Sequence, residues 1–188
     1  YFQYRDILIF IMVLKQNNHT IHSIHHHFGW DNSKKPILEI KSGESVLIET
    51  IDSSGEQLNK NSTLADVKNL DFSKVNPVTG PIFIENAEEG DVIEVEFLEY
   101  ITSGWGWTAI IPGFGLLADE FNDPDIYIWK YDSNNPNQSL YSSFGKVPLK
   151  PFVGTIGLAL KESGNHSIVP PRHCGGNLDI KDLTKGSV

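Results

Sequence analysis

The stretch "DVIEVEFLEY", which begins at Asp91, constrains the fold of this chain more than any other feature of its sequence. Its apolar and acidic residues alternate with a period of two, as successive side chains do on the opposite faces of a β-strand. Ile93 and Val95 fall on one face, and Glu94 and Glu96 fall on the other. The pattern therefore predicts a strand with one packed face and one face in water.

Shorter strand signals occur on both sides of this stretch, and glycine and proline separate them. "PILEIKSGESVLIETI" predicts a hairpin whose two strands are joined at Ser42–Glu44, where the glycine supplies a positive φ. "STLADVKNL" predicts a short helix that is capped by Thr63, with Asp66 three residues further on. We therefore expect an all-β or β-rich fold with mostly antiparallel sheets, or a partial barrel, and few short helices.

Length and charge limit the classes of function. The chain has 188 residues, a formal net charge of −9 and a single cysteine, Cys174. An excess of acidic residues argues against a nucleic-acid partner, because phosphate binding needs a cationic surface. The absence of an apolar run of about 20 residues predicts that no helix spans a membrane. A lone cysteine excludes an intramolecular disulfide and is compatible with the cytoplasm, where we expect the protein to reside.

The two ends of the sequence raise separate expectations. Residues 1–11 are predicted to be a tag or a non-native leader, because "YFQ" resembles the end of a protease tag and Met12 could be the natural start; a signal peptide is the alternative. Residues 12–188 are predicted to be the N-terminal portion of one β-rich domain that is truncated at its C-terminus. The final "DLTKGSV" resembles a turn that leads into another strand. An unfinished strand edge predicts association with a second chain, because its unpaired backbone groups recruit partners.

Three consecutive histidines, His25–His27, form either a solvated loop or half of a metal site. Side chains that are adjacent on an extended segment alternate faces, so at most two of the three can point toward one site. Candidate carboxylates lie further along, at Glu49 and Asp52. Because these two are three residues apart, both can reach one site only if their strand ends or bulges near Ile51.

Five ordered segments of the sequence resemble the acetamidase/formamidase family of amidohydrolases. They are "HFGW" (His27–Trp30), "VLIETID" (Val46–Asp52), "NPVTGPIFIENAEEGDVIEVEF" (Asn76–Phe97), "VPLKPFVGTIGLA" and "VPPRHCGGNLDIKDLTKGS" (Val169–Ser187). The resemblance covers most of residues 20–188 but only the first part of the family's usual length. It implies hydrolysis of a small aliphatic amide, of the formamide or acetamide class, to ammonia and a carboxylate by metal-activated water.

The resemblance also implies a set of site residues. His27 and Asp52 are the expected metal ligands, and Glu49 is expected to be a ligand or the general base. Asp179 would complete the shell around a divalent metal, for which zinc is the first expectation and calcium or magnesium the alternatives. Solvated side chains at a strand end are the competing explanation for the two carboxylates near Ile51.

Substrate contacts are expected from residues without bulky side chains and from one aromatic ring. Gly175 and Gly176 would let backbone N–H groups approach the substrate oxyanion, and Asn177 would act in catalysis by hydrogen-bonding the substrate amide. Trp30 would wall a small apolar pocket. An ordinary glycine turn and a core position for the indole ring remain the alternatives.

The expected partners follow from the same resemblance. They are a small amide substrate and either further copies of this chain or a separate chain that supplies the C-terminal half. Family members continue into Gly-Asp-x-His and Gly-Asp-Gly-Glu segments near the active site, and these segments do not occur in this sequence. The alternative function is therefore a catalytically incomplete β-rich module for binding or assembly.

Overall fold

A computed structural model describes residues 6–11, 19–135 and 138–188 of the chain, and the first of these ranges is described by its backbone. The strands, in chain order, are β1 (Asp6–Ile11), β2 (His19–Ile21), β3 (His26–His27), β4 (Leu38–Ile40), β5 (Val46–Ile48), β6 (Val78–Thr79), β7 (Ile82–Ile84), β8 (Val92–Phe97), β9 (Trp105–Ile110), β10 (Asp125–Lys130), β11 (Ser139–Ser142), β12 (Gly145–Pro148), β13 (Thr155–Gly157) and β14 (Gly175–Asn177). The helices are α1 (Leu64–Lys68) and two 3₁₀ helices, Ser23–His25 and Phe72–Lys74.

The strands form two-stranded sheets throughout the described part of the chain. Four pairs are antiparallel: β3 with β6, β9 with β10, β11 with β12, and β13 with β14. Three pairs are parallel: β1 with β8, β2 with β5, and β4 with β7. The β-rich class and the majority of antiparallel pairs confirm the expectation, and the described strands close no barrel.

The predicted hairpin between β4 and β5 is wrong, although a turn does join these strands. β4 pairs with β7 and β5 pairs with β2, both in parallel, so the two strands are not neighbours in one sheet. The Glu44 carboxylate accepts the Lys41 N–H at 2.8 Å, and the Glu44 N–H donates to the Lys41 carbonyl at 3.1 Å. The Glu44 side chain therefore binds the Lys41 N–H, which a hairpin ladder between β4 and β5 would have used.

The chain divides into two compact units, and the first one combines Tyr1–Asp52, Asn76–Tyr100 and Phe152–Val188. One core of this unit is the buried cluster of Ile21, Ile40 and Val46. Ile93 and Val95 of β8 pack against that cluster, while Glu94 is exposed. The alternation of "DVIEVEF" thus has the packed and wet faces that the sequence predicts.

The second unit combines Ser53–Val75 and Ile101–Pro151. Its helix α1 begins as predicted: the Asp66 carboxylate accepts the Thr63 N–H at 2.7 Å and the Thr63 hydroxyl at 3.0 Å. Its buried apolar side chains, among the described residues, are Leu58 and Val67. No helix in the described part of the chain is long and apolar enough to cross a membrane.

The last residues of the chain lie against the end of β8 in the first unit. The Phe97 N–H donates to the Ser187 carbonyl at 2.9 Å, and the Gly186 N–H donates to the Phe97 carbonyl at 2.6 Å. The Tyr100 hydroxyl donates to the Leu183 carbonyl at 2.5 Å. "DLTKGSV" therefore forms a turn that meets the end of a strand.

Strands β13 and β14 approach each other so closely that glycine is required. A Cβ atom at Gly175 would lie 2.6 Å from the Ile156 carbonyl oxygen, and one at Gly157 would lie 3.0 Å from the Cys174 carbonyl oxygen. Gly175 also has a φ of +97°, which side chains disfavour. These glycines serve the contact between the two strands.

We expect Gly175→Ala to destabilise the protein more than a matched glycine substitution at Gly43. Gly43 has a φ of +85° with nothing within 4 Å of its added Cβ, so Gly43→Ala isolates the backbone strain, about 1–2 kcal/mol. Gly175→Ala adds the clash with Ile156, and should cost at least about 1 kcal/mol more in urea unfolding. Equal losses for the two variants would contradict the close approach of β13 and β14.

Candidate functional site

The histidine turn, defined as residues 22–27, is built from the 3₁₀ helix Ser23–His25 and strand β3. The His25 N–H donates to the His22 carbonyl at 3.0 Å and closes the turn. Nδ1 of His26 lies 2.7 Å from the Ser23 carbonyl oxygen. The Gly80 N–H donates to the His25 carbonyl at 3.1 Å, so the segment after β6 holds the turn in place.

Glu49 lies beside this turn because β5 runs parallel to β2. The Glu49 N–H donates to the Ile21 carbonyl at 2.9 Å, which extends the ladder by one residue. Its carboxylate Oε2 accepts the Ser23 N–H at 3.2 Å and lies 3.2 Å from Nδ1 of His22. The Thr79 hydroxyl donates to the Glu49 carbonyl at 2.8 Å. Both the backbone and the side chain of Glu49 are therefore held.

The electrostatics of the site favour an ionised Glu49 and a neutral His27. The Ser23 N–H bond, and then the His22 bond, lower the pKa of Glu49 below its ordinary value. Half-burial of His27, and then the nearby Lys34 charge, lower the pKa of its imidazole, although a hydrogen bond to the Gly80 backbone opposes this. A carboxylate and a neutral imidazole are both able to accept a proton, but a lowered pKa makes the Glu49 carboxylate a weaker base.

The structure does not gather the predicted metal ligands into one set. β5 ends at Ile48 and its ladder ends with the Glu49 N–H, so the chain leaves the strand ahead of Ile51. Across the described residues, however, no three histidine, cysteine, aspartate or glutamate side chains form a group that could hold a metal ion. His27 contacts Gly80, and the imidazole beside Glu49 belongs to His22. The divalent metal stays a prediction.

Asp179 and Asn177 contact Gly154, Thr155 and Val169 in the first unit. Asp179 is exposed, its N–H donates to the Gly154 carbonyl at 3.0 Å, and its Oδ1 lies 2.7 Å from where a Cβ of Gly154 would be. The Asn177 side chain accepts the Thr155 hydroxyl at 3.1 Å and donates to the Val169 carbonyl at 3.1 Å. The catalytic roles of these two residues remain predictions.

Gly175 and Gly176 lie in β14, where their backbone is already engaged. The Gly175 N–H donates to the Arg172 carbonyl at 3.0 Å, and Gly176 is paired with Ile156 of β13. The Gly176 carbonyl accepts the Leu178 N–H at 3.0 Å. A role in binding a substrate oxygen stays a prediction, and the observed role of both residues is strand pairing.

Trp30 joins the histidine turn to the glycine strands. Its backbone exchanges two hydrogen bonds with His166, at 2.7 and 2.9 Å. Trp30 is 6% exposed and packs with Leu160 and Ile168, and with Val78 of β6. In the described part of the chain its indole Nε1 is buried without a hydrogen-bond partner. This position is in the core, which is one of the two alternatives that the sequence left open.

Sequence reasoning missed His22, Ser23 and Thr79 as neighbours of Glu49. A parallel alignment of "HTI" with "VLI" would have placed residue 22 beside residue 49, but parallel partners leave no local turn signal in the sequence. The wrong hairpin assignment also concealed this alignment.

Comparison with known proteins decides the family. The model of the acetamidase/formamidase family matches residues 14–166 of the chain. The chain belongs to this family. Its relatives include a formamidase of Methylophilus methylotrophus, 28% identical, with 86% of this chain and 52% of the relative covered. An acetamidase of Mycolicibacterium smegmatis is 26% identical, with 86% and 54% covered.

Solved structures of the same family have a similar fold. An acetamidase from Bacillus halodurans is 31% identical with a TM-score of 0.77, over 88% of this chain and 54% of that one. A recombinant predicted acetamidase/formamidase from the thermophile Thermoanaerobacter tengcongensis is 28% identical with a TM-score of 0.78, over 89% and 54%. The chain therefore spans about half the length of the relatives that it matches.

The His22–Glu49 contact predicts how the pKa of Glu49 changes when His22 is replaced. In His22→Ala the pKa of Glu49 should rise toward its ordinary value but stay below it, because the larger cause, the Ser23 N–H bond, remains. A carbon-13 NMR titration of the Glu49 carboxyl measures this, with His25→Ala as the control from the same turn. A pKa that is unchanged in His22→Ala would disprove the contact.

The lowered pKa of His27 predicts how stability depends on pH. The pKa of His27 in the folded protein lies below its unfolded value near 6.5. The contribution of the neutral imidazole to the free energy of unfolding is therefore complete above that value and is lost as pH falls through the folded pKa. At pH values below about 6.5 the urea concentration at the unfolding midpoint should therefore decrease. It should decrease less steeply in His27→Gln than in the wild type. His173→Gln, at an exposed histidine, is the control. Parallel curves for wild type and His27→Gln would contradict the half-buried imidazole.

Proposed function

We propose that this protein is an amidohydrolase that cleaves a small aliphatic amide, such as formamide or acetamide, to ammonia and a carboxylate. Membership of the family supports the reaction class, as do relatives that are named formamidase and acetamidase. The single observation that carries the proposal for this chain is the Glu49 carboxylate held 3.2 Å from Nδ1 of His22. The side chain of Glu49 is about half exposed, so a substrate and a water molecule can reach it.

The chemistry requires three aids, because the amide carbonyl is resonance-stabilised and the amine leaves poorly. They are an activated water, a donor for the oxyanion and a proton source for the nitrogen. In our proposal Glu49 removes a proton from the attacking water as the oxygen bonds to the carbonyl carbon. A proton then passes to the amide nitrogen through His22, the C–N bond breaks, and ammonia leaves.

The metal and the small-substrate preference rest on the family resemblance. Imidazole and carboxylate are donor types that zinc accepts, but the described residues assemble no complete set of them. The steps proposed for Glu49 and His22 therefore do not pass through a metal ion. A preference for formamide or acetamide is proposed from the names of the relatives.

A second candidate function is an assembly module that becomes active only with a further polypeptide. The observation that favours it is the coverage of about half of each relative. Under this proposal the histidine turn and Glu49 supply one side of a site, and the partner supplies the rest.

Ammonia release from formamide and acetamide by the purified chain, with and without added zinc, tests the main proposal. We expect release by the wild type, and a loss of at least about 100-fold in kcat/KM for Glu49→Gln, because a general base typically contributes that much. Glu39→Gln, at an exposed carboxylate on β4, is the matched control and should keep full activity. Full activity in Glu49→Gln would refute the assigned role.

The assembly alternative is tested in the same assay by adding the portion of the Methylophilus methylotrophus formamidase that this chain does not cover. Release only after this addition would support the assembly module and overturn activity of the chain alone. If a folded chain releases no ammonia under either condition, both candidate functions fail.

A further inference from the structure

Glu49 is the first residue after a strand, and about half of its side chain lies in water. β5 ends at Ile48, and the Glu49 side chain is 48% exposed. Its carboxylate lies 3.2 Å from both the Ser23 nitrogen and Nδ1 of His22, at the long end of the range for such hydrogen bonds. Water competes with these partners. The direction of the carboxylate therefore depends on how firmly the backbone of Glu49 is held.

Two different strands hold the Glu49 backbone. The Glu49 N–H donates to the carbonyl of Ile21, in β2, at 2.9 Å. The Glu49 carbonyl accepts the hydroxyl of Thr79, in β6, at 2.8 Å. The first is a ladder bond, and the second is supplied by a side chain where the strand no longer continues. Because the two bonds fix the peptide units on both sides of one Cα atom, together they restrict both backbone dihedrals of Glu49.

Thr79 is itself bound to the histidine turn through its backbone. In the antiparallel pair of β3 with β6 it lies opposite His26, and the following N–H, that of Gly80, donates to the His25 carbonyl at 3.1 Å. One residue thus has its backbone on the histidine turn and its side chain on Glu49. Valine has nearly the same shape but no donor, so this bridge depends on the hydroxyl.

We propose that Thr79 is a positioning residue whose hydroxyl holds the Glu49 backbone so that the carboxylate faces the histidine turn. The inference rests on the proposed function, because it concerns the same carboxylate. Thr79 takes no part in the proton transfers and acts only through Glu49. A displacement of about 1 Å in a catalytic group can lower a rate by about 100-fold, so a hydroxyl that is remote from the reaction can determine kcat.

Three substitutions at Thr79 test the role of the hydroxyl in catalysis. In Thr79→Val and Thr79→Ala, kcat for ammonia release should fall at least about tenfold while KM stays within about twofold, because Thr79 does not contact the substrate. Thr79→Ser keeps a hydroxyl, and its kcat should stay within about threefold of the wild-type value. If Thr79→Val does not fold, the comparison of Thr79→Ala with Thr79→Ser still isolates the hydroxyl.

A second measurement does not depend on activity. In a carbon-13 NMR titration, Thr79→Val and Thr79→Ala should raise the pKa of Glu49 toward its ordinary value, because a displaced carboxylate loses the hydrogen bonds that lower it. Thr79→Ser should keep the wild-type pKa. Ser187→Ala is the matched control in the first unit, because it removes another hydroxyl–carbonyl bond of 2.8 Å, to Thr184. It should leave both the pKa of Glu49 and kcat unchanged.

The two measurements distinguish failure of this inference from failure of the proposed function. A Glu49 pKa that is unchanged without the Thr79 hydroxyl overturns the positioning role, even where kcat falls, because Thr79 then acts without Glu49. A wild-type kcat in Thr79→Ala also overturns it, as does a loss in Thr79→Ser equal to that in Thr79→Ala. If the wild type releases no ammonia but the pKa rises in Thr79→Ala and not in Thr79→Ser, the positioning role stands and the proposed function fails.

Discussion

Burial of Ile21 is the interaction on which the candidate site depends. Ile21 is 1% exposed in the core with Ile40 and Val46, and this fixes the parallel register of β2 against β5. This register places the next residues, His22 and Ser23, beside Glu49. The contacts of Ile21 with Ile40 and Val46, and the hydrogen bond from the Glu49 N–H to the Ile21 carbonyl, thus place the His22 imidazole beside the Glu49 carboxylate.

Local patterns in the sequence predicted local structure well. The alternation along β8 needs only neighbours two residues apart, and the Thr63–Asp66 cap needs only neighbours three residues apart. The predicted pairing of β4 with β5 is wrong because the Glu44 carboxylate accepts the Lys41 N–H. This hydrogen bond competes with a backbone ladder and has no simple sequence signature. Parallel pairing between distant segments is decided by burial, and burial depends on the whole fold.

The sequence predicted that the histidine segment lies near Glu49, but not which side chains are in contact. The structure brings the histidine turn to Glu49, yet the imidazole at Glu49 is His22, and His27 binds the Gly80 backbone. The catalytic and metal-binding roles of these residues stay predictions. Gly175 and Gly176 were predicted to leave space for a ligand. In the structure the small size of Gly175 serves the approach of β13, whereas a Cβ at Gly176 would lie 3.7 Å from the Trp30 indole nitrogen. Glycine removes bulk in both cases, so only the position of the opposite strand distinguishes the two roles.

The first unit is assembled from three separate parts of the chain, and the Trp30–His166 bridge joins two of them across more than a hundred residues. During synthesis, Trp30 leaves the ribosome long before its hydrogen-bond partner, His166, has been synthesised. Closing so long a loop costs chain entropy and slows folding. Until Leu160 and Ile168 emerge, the Trp30 ring lacks the side chains that bury it, so this part of the nascent chain exposes a large apolar surface to chaperones and to other chains.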